Sequence, residues 1–265
     1  LGAGDPLAAN VGTRYIVQFA DPSKGAAALH AAGAHVAVEV PSVNAFAAYI
    51  PAAAVQGLQH NPNVIAIEED AVREPLSTNT TTTDGAIMPY GIAMVQANLV
   101  PEAATSAAMV CIIDTGYFPG HADLQEANVT YTTDSGTGDP WHDGAGHGSH
   151  VAGTIAALGG NGVGVVGVNP GGRLNLHIVK VFGDDGVWAY SSSLINALQK
   201  CRDAATAAGK KLVVSMSLGG SIKSTFEDSA FNSANNAGVL SVAAAGNDGT
   251  SRKSYPASYT SVVSV

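Results

Sequence analysis

The sequence predicts an α/β chain in two parts, a small α+β unit followed by a larger domain built on a parallel sheet. Three observations carry that prediction. Residues 14–70 run in the order βαββαβ, residues 77–85 are polar and turn-prone, and from Met109 onward apolar strands alternate with helical segments. The chain has 265 residues, 46% hydrophobic and only 12% charged, which suits a large core in one or two domains.

In the first unit, Arg14–Phe19 is a strand by its β-branched and aromatic content. Ser23 stands where it can cap an Ala-rich helix that ends near Gly33. His35–Val40 and Ala45–Ile50 read as strands separated by Pro41-Ser42, and Pro51 suits the first turn of a helix reaching His60. Asn61-Pro62-Asn63 then turns into a last strand, Val64–Glu69. This is the ferredoxin-like order, and a unit of fewer than about 80 residues has little core of its own. Arg73-Glu74-Pro75-Leu76 cannot be helix, and the polar run Ser77–Gly85 sets a boundary between residues 1–76 and 77–265. Beyond it the expected strands are Met109–Ile113, Leu174–Phe182, Leu212–Ser217 and Val239–Ala243. The expected helices are Val151–Leu158, Ser191–Ala208 and Thr225–Ala237, giving a sheet covered on both faces.

The totals exclude several partners. A net charge of −9 argues against nucleic acid and anionic membrane, and no apolar run reaches the 18 or more residues of a membrane span. Leu1-Gly2-Ala3-Gly4 has no basic leader, so a secretory signal is expected to be absent or already removed. The two cysteines, Cys111 and Cys201, lack metal-type spacing; two buried thiols are the default, with a disulfide left open.

Three polar residues stand out against this frame. Asp114 ends the strand Met109–Ile113, where active sites gather in parallel sheets. Asp114-Thr115-Gly116 also resembles an aspartic-protease signature. The second copy, Asp134-Ser135-Gly136, follows a polar stretch too soon to form a second lobe. His147 lies in Gly144-Ala145-Gly146-His147-Gly148-Ser149-His150, ahead of a small-residue helix. Taken alone it reads as a structural histidine. Asn247 follows the strand Val239–Ala243 within Ala244-Ala245-Gly246-Asn247. An aspartate before a histidine, with a serine to follow, is one order that a Ser-His-Asp triad takes.

Val110-Cys111-Ile112-Ile113-Asp114-Thr115-Gly116, His147-Gly148-Ser149-His150-Val151-Ala152-Gly153-Thr154, Ser215–Gly220 and Ala244–Asn247 together resemble the motifs of the subtilisin-like serine proteases, the subtilases. Residues 14–76, including Glu68-Glu69-Asp70-Ala71-Val72, resemble the inhibitory propeptide of that family. The resemblance implies a secreted endopeptidase precursor. Asp114 would orient His147, His147 would act as general base and acid, and Asn247 would donate to the oxyanion. His150 lacks the glutamate of a metalloprotease motif and is read as structural.

The resemblance also implies a substrate path. Ser217, Leu218 and Gly219 would pair with an extended substrate, flanked on the other side by Gly186, Val187 and Trp188. Ala244, Ala245 and Gly246 leave room for a large apolar P1 side chain, and Tyr190 would line the P4 site. Trp188 departs from the family's usual small residue. A structural calcium ion would be held by Asp123 and Asn161 with the main chain of Leu158, Val163 and Val165. Asp84 is a weak further ligand candidate. Processing between Leu76 and Ser77 would leave residues 1–76 as inhibitor and folding aid, bound in the cleft as a product.

One component is missing from this reading. Gly249-Thr250-Ser251 imitates the nucleophile motif, yet it stands two residues past Asn247, and Pro256 forbids the long helix that should follow. The expectation is a proenzyme truncated before its serine, inactive alone, with that residue on a second chain or lost. The competing class is an inactive binding or inhibitor protein of the same fold.

Overall fold

The computed structural model describes residues 12–75, 87–101, 106–134, 136–184 and 189–265. Its first unit comprises β1 (Thr13–Phe19), α1 (Gly25–Ala31), β2 (His35–Val40), β3 (Ala45–Ile50), α2 (Ala52–Gln59) and β4 (Val64–Glu69). The sheet order is β2-β3-β1-β4, and the pairings of β1 with β3 and β4 and of β2 with β3 are antiparallel. Ser23 is not the cap expected of it. Asp21 accepts from the Ser23 N–H and opens a short 3-10 turn at Pro22–Lys24, ahead of α1.

All six residues of β3 are buried, because both faces of this sheet are covered. Phe46, Ala48 and Ile50 pack with Leu29 and Leu58 from α1 and α2. Ile16, Val40 and Ala45 pack instead against Ile195 and Phe226, which belong to the larger sheet's helices. The small unit thus completes its core by lying on the rest of the chain.

The chain then passes through β5 (Val72–Pro75) and α3 (Tyr90–Met94) into the larger part. This comprises β6 (Ala108–Asp114), β7 (Val129–Thr132), α4 (His147–Ala156), β8 (Asn175–Lys180), β9 (Ala189–Tyr190) and α5 (Ser191–Ala207). After them come β10 (Lys211–Met216), β11 (Leu218–Gly219), α6 (Thr225–Asn236), β12 (Leu240–Ala243) and β13 (Val262–Ser264). Six strands form one sheet in the order β13-β12-β10-β6-β8-β7, every neighbouring pair parallel. Since all run the same way, Asp114, Lys180, Met216 and Ala243 end their strands at one edge. That edge is where the chemistry-bearing side chains collect.

Two expectations change here. The helix expected from Val151 begins at His147, because its first turn is capped by groups outside the apolar run. The cysteines are not free thiols: Cys111 of β6 and Cys201 of α5 form a disulfide with Cα atoms 5.7 Å apart. Both lie where α5 packs on β6, so two residues readable as small buried hydrophobes meet across that interface.

Candidate active site

Asp114 is fully buried at the end of β6, and its Oδ1 accepts from the Thr115 N–H at 2.8 Å. His147, the first residue of α4, places Nδ1 2.6 Å from the same oxygen. Gly148 explains how the two come so close. A Cβ on Gly148 would lie 2.2 Å from the Gly116 carbonyl oxygen, so only glycine lets α4 start against the turn after β6. Thr115 Oγ1 accepts from the Gly148 N–H at 2.8 Å and donates to Asp143 Oδ1 at 2.7 Å. Asp143 accepts from the N–H groups of Gly146 and Ser149 at 2.9 and 2.7 Å, supplying the cap that Gly146 cannot. Asp143 was not singled out in the sequence, and Thr115 and Gly148 stood there only as members of the two motifs. An aspartate four residues ahead of His147 was the available signal.

Lys180, buried at the end of β8, donates to the carbonyls of Thr115 and His142 at 2.6 and 2.9 Å and to Asp184 at 2.7 Å. It braces the Thr115 turn from the neighbouring strand. The electrostatics follow from these contacts. The hydrogen bond that His147 donates to Asp114 raises its pKa above the ordinary histidine value, against the opposing effect of burial. Burial pushes the Asp114 carboxyl up, and among the described residues its Oδ2 has no hydrogen-bond partner. The result is an oriented imidazole with one nitrogen fixed on a carboxylate, the arrangement a general base requires.

A second feature lies beside this pair. β5 runs antiparallel to β11 on one side, with Leu218 opposite Pro75 and Gly219 opposite Glu74. It runs antiparallel to β9 on the other, with Val72 opposite Tyr190 and Arg73 opposite Ala189. Leu218 and Gly219 therefore do pair with an extended strand, and that strand is part of this chain. Tyr190 stacks its ring under the Arg14 guanidinium, 3.9 Å from its centroid. Ser217 connects β10 to β11. Gly186, Val187 and Trp188 lie outside the described residues, as do Leu76, Ser77 and Asp84.

Ala244, Ala245, Gly246 and Asn247 follow β12 at the same sheet edge, with Asn247 exposed. A cavity of about 450 Å³ lies between Gly219–Ser221 and the loop from Ala245 to Ser254. Asp248, Arg252 and Lys253 share its lining, which is more polar than the three small residues suggested. Gly249-Thr250-Ser251 sits in an exposed bend and opens no helix.

Asp123 is buried and meets Asn161 through nitrogen donors. Asn161 Nδ2 is 2.8 Å from Oδ1, and the Val165 N–H is 2.8 Å from Oδ2. The amide oxygen of Asn161 accepts from the Val163 N–H at 3.2 Å. Among the described residues no group of three His, Cys, Asp or Glu side chains could hold a metal. A cation here would rely on one carboxylate, the Asn161 amide turned over, and main-chain carbonyls, a donor set that suits calcium.

The subtilase family model matches residues 105–265. The chain belongs to the subtilase family. It is 34% identical over 239 residues to subtilisin E of Bacillus subtilis (strain 168), covering 88% of this chain and 58% of that protein. It is 37% identical over 211 residues to a thermostable alkaline protease of Halalkalibacterium halodurans, covering 78% of this chain and 52% of the relative. This subtilase chain thus spans just over half the length of such relatives. Among solved structures it resembles the psychrophilic subtilisin-like protease Apa1 from Pseudoalteromonas sp. AS-11. There the TM-score is 0.61 at 48% identity, over 68% of this chain and 40% of that one. Fervidolysin from Fervidobacterium pennivorans shares the fold, with a TM-score of 0.68 at 24% identity over 95% of this chain and 42% of that one. Among the described residues no helix is long and apolar enough to cross a membrane.

Proposed function

We propose that this subtilase chain belongs to a serine endopeptidase precursor that cleaves polypeptides. The observation that carries the reading is the Asp114–His147 pair, 2.6 Å apart at the carboxyl edge of a parallel sheet. His147 Nε2 takes the proton of a serine hydroxyl as it attacks the peptide carbonyl, and returns it to the leaving amine. Asp114 holds the imidazole in one tautomer and stabilises the imidazolium. Asn247 supplies an oxyanion donor. The serine comes from polypeptide other than Gly249-Thr250-Ser251, either continuous with this chain or on a second one.

Residues 1–76 act as inhibitor and folding aid. What supports this is β5, held as a strand between β11 and β9 where a substrate would pair. Cutting between Leu76 and Ser77 would leave that strand in place as a product. The Cys111–Cys201 disulfide supports an oxidising, extracellular setting. Calcium at Asp123 and Asn161, with the carbonyls of Leu158, Val163 and Val165, would tie the loop after α4 to the Asp123 turn. A chelator that leaves Tm unchanged would remove that part of the reading. The reading as a whole is tested on the full-length protein. Peptide hydrolysis should be lost by about 10⁴-fold or more in His147→Ala. Hydrolysis that survives this change would remove His147 as the base, and none in the unaltered protein would favour the alternative of an inactive binding or inhibitor protein.

A further inference from the structure

β5 does more than fill space between two strands. Arg73 turns into the larger part and is completely buried. Its Nη2 lies 2.9 Å from Glu227 Oε2 and its Nε 3.3 Å from Oε1, a two-point grip on a carboxylate that is itself wholly buried. Gly220 forms a wall: a Cβ there would lie 2.4 Å from the Val72 carbonyl oxygen and 3.2 Å from Arg73 Nη1. The result is a slot sized for a guanidinium, with its mouth on the strand path between β11 and β9.

Glu227 holds an unusual place for this task. Ser224-Thr225-Phe226-Glu227 has the spacing of a capping box, and the Ser224 side chain does accept from the Glu227 N–H at 3.2 Å. The reciprocal half is not made. The Ser224 N–H goes to the Tyr259 hydroxyl at 3.1 Å, which frees the Glu227 carboxylate to face the slot. With β5 gone, Glu227 would be a buried carboxylate without its counter-ion, a state that strongly favours capture of another cation.

We propose that this slot is a substrate subsite selective for arginine. It deepens the reading of β5 as occupant of the substrate path, and rests on it. A substrate strand that replaces β5 places an arginine on Glu227 where Arg73 now sits, three residues ahead of Leu76 if the Leu76–Ser77 bond is the one cut. Lysine fits less well, since its ammonium cannot make the planar two-point contact.

The test uses the full-length processed protein and quenched-fluorescence peptides that differ only at this position, carrying Arg, Lys, citrulline or Leu. Arg should exceed citrulline and Leu in kcat/KM by about 10- to 100-fold. Citrulline keeps the shape and loses the charge, so it separates the ion pair from packing. Glu227→Gln should remove most of the preference. Should that variant fail to mature, the peptide series on the unaltered protein still decides. Equal rates for Arg, citrulline and Leu, with other peptides cleaved normally, would overturn the subsite and leave the peptidase reading standing. No cleavage of any peptide would overturn both.

Discussion

Three helices of the parallel-sheet part start in two different ways. α4, which carries His147, is finished by its own neighbourhood: Asp143, a few residues upstream, accepts from Gly146 and Ser149. α5 has no cap of its own and borrows one from the first unit, and α6 adds a borrowed acceptor to its own Ser224 cap. Asp70 accepts from the Ser192 N–H at 3.0 Å, across 122 residues of sequence. Glu68 accepts from the Thr225 N–H at 3.2 Å, across 157 residues. Each carboxylate sits where the first-turn N–H groups and the helix dipole favour an anion. The difference divides the molecule. The histidine site is self-sufficient, whereas the two helices flanking β5 take first-turn acceptors from the first unit, α5 for its whole cap and α6 beside its own Ser224. That division supports the proposed folding-aid role.

The largest expected effect comes from cutting the tie between the two classes. Cys201 lies in α5, a helix with a borrowed cap, and Cys111 in β6, the strand that ends at Asp114. Cys201→Ser opens a loop of 90 residues and should cost about 4 kcal/mol, roughly 8–16 °C in Tm. A loss below about 1 kcal/mol in a denaturant titration would show that packing alone holds α5 on β6.

Asp70→Asn should come next. It removes the borrowed cap and also the 2.8 Å ion pair with Arg14, whose side chain is only 11% exposed. The cost should be about 3 kcal/mol, with hydrogen-exchange protection lost at the start of α5 and kept in α4. Asp143→Asn should give the reverse pattern at about 1–2 kcal/mol, and should also slow peptide hydrolysis by loosening the His147 turn. If both variants loosen the same helix, the division does not hold. Glu68→Gln should cost about 1 kcal/mol and act on α6 alone, because Glu68 is half-buried and its amide can still accept one bond.

The borrowed caps also mark where sequence reading stopped. β6, β8, β10 and β12 were legible because buried parallel strands are short apolar runs, and Asp114 and His147 because glycines and strand ends frame them. α5 and α6 were placed within a residue or so by their periodicity. What escaped depends on distant partners. β9 spans two residues and is a strand only by pairing with β5, while β5 and β11 were foreseen through the family resemblance alone and have no local pattern of their own. The edge strand β7 alternates Thr with apolar residues and is barely buried. The disulfide joins residues 90 apart, and Glu227 was hidden because Ser-x-x-Glu announces a local cap rather than a partner for Arg73. Local patterns reveal local contacts. The long-range pairs had no local signature.

The smallest expected effect at neutral pH separates two buried histidines. His147 is raised above 6.5, chiefly by its hydrogen bond with Asp114. A base must be neutral, so kcat/KM should fall on the acid side with a midpoint above 6.5. The sign for stability is opposite. A raised folded-state value stabilises fully below pH 6.5, and that contribution fades as pH rises through it. His177, on β8, is lowered to about 4 by burial. Its ring is held between Thr130 Oγ1 at 2.8 Å and Thr132 Oγ1 at 2.9 Å, partners that accommodate a neutral imidazole. In the unfolded chain it binds a proton near 6.5, so its contribution makes stability fall as pH drops from 6.5 towards 4. Histidine ring titration by NMR should place the two on opposite sides of 6.5. His177→Gln should flatten the acid arm of the stability curve without moving the acid limb of kcat/KM. Movement of that limb would mean that the two histidines share one network, and that the site is less self-contained than its caps suggest.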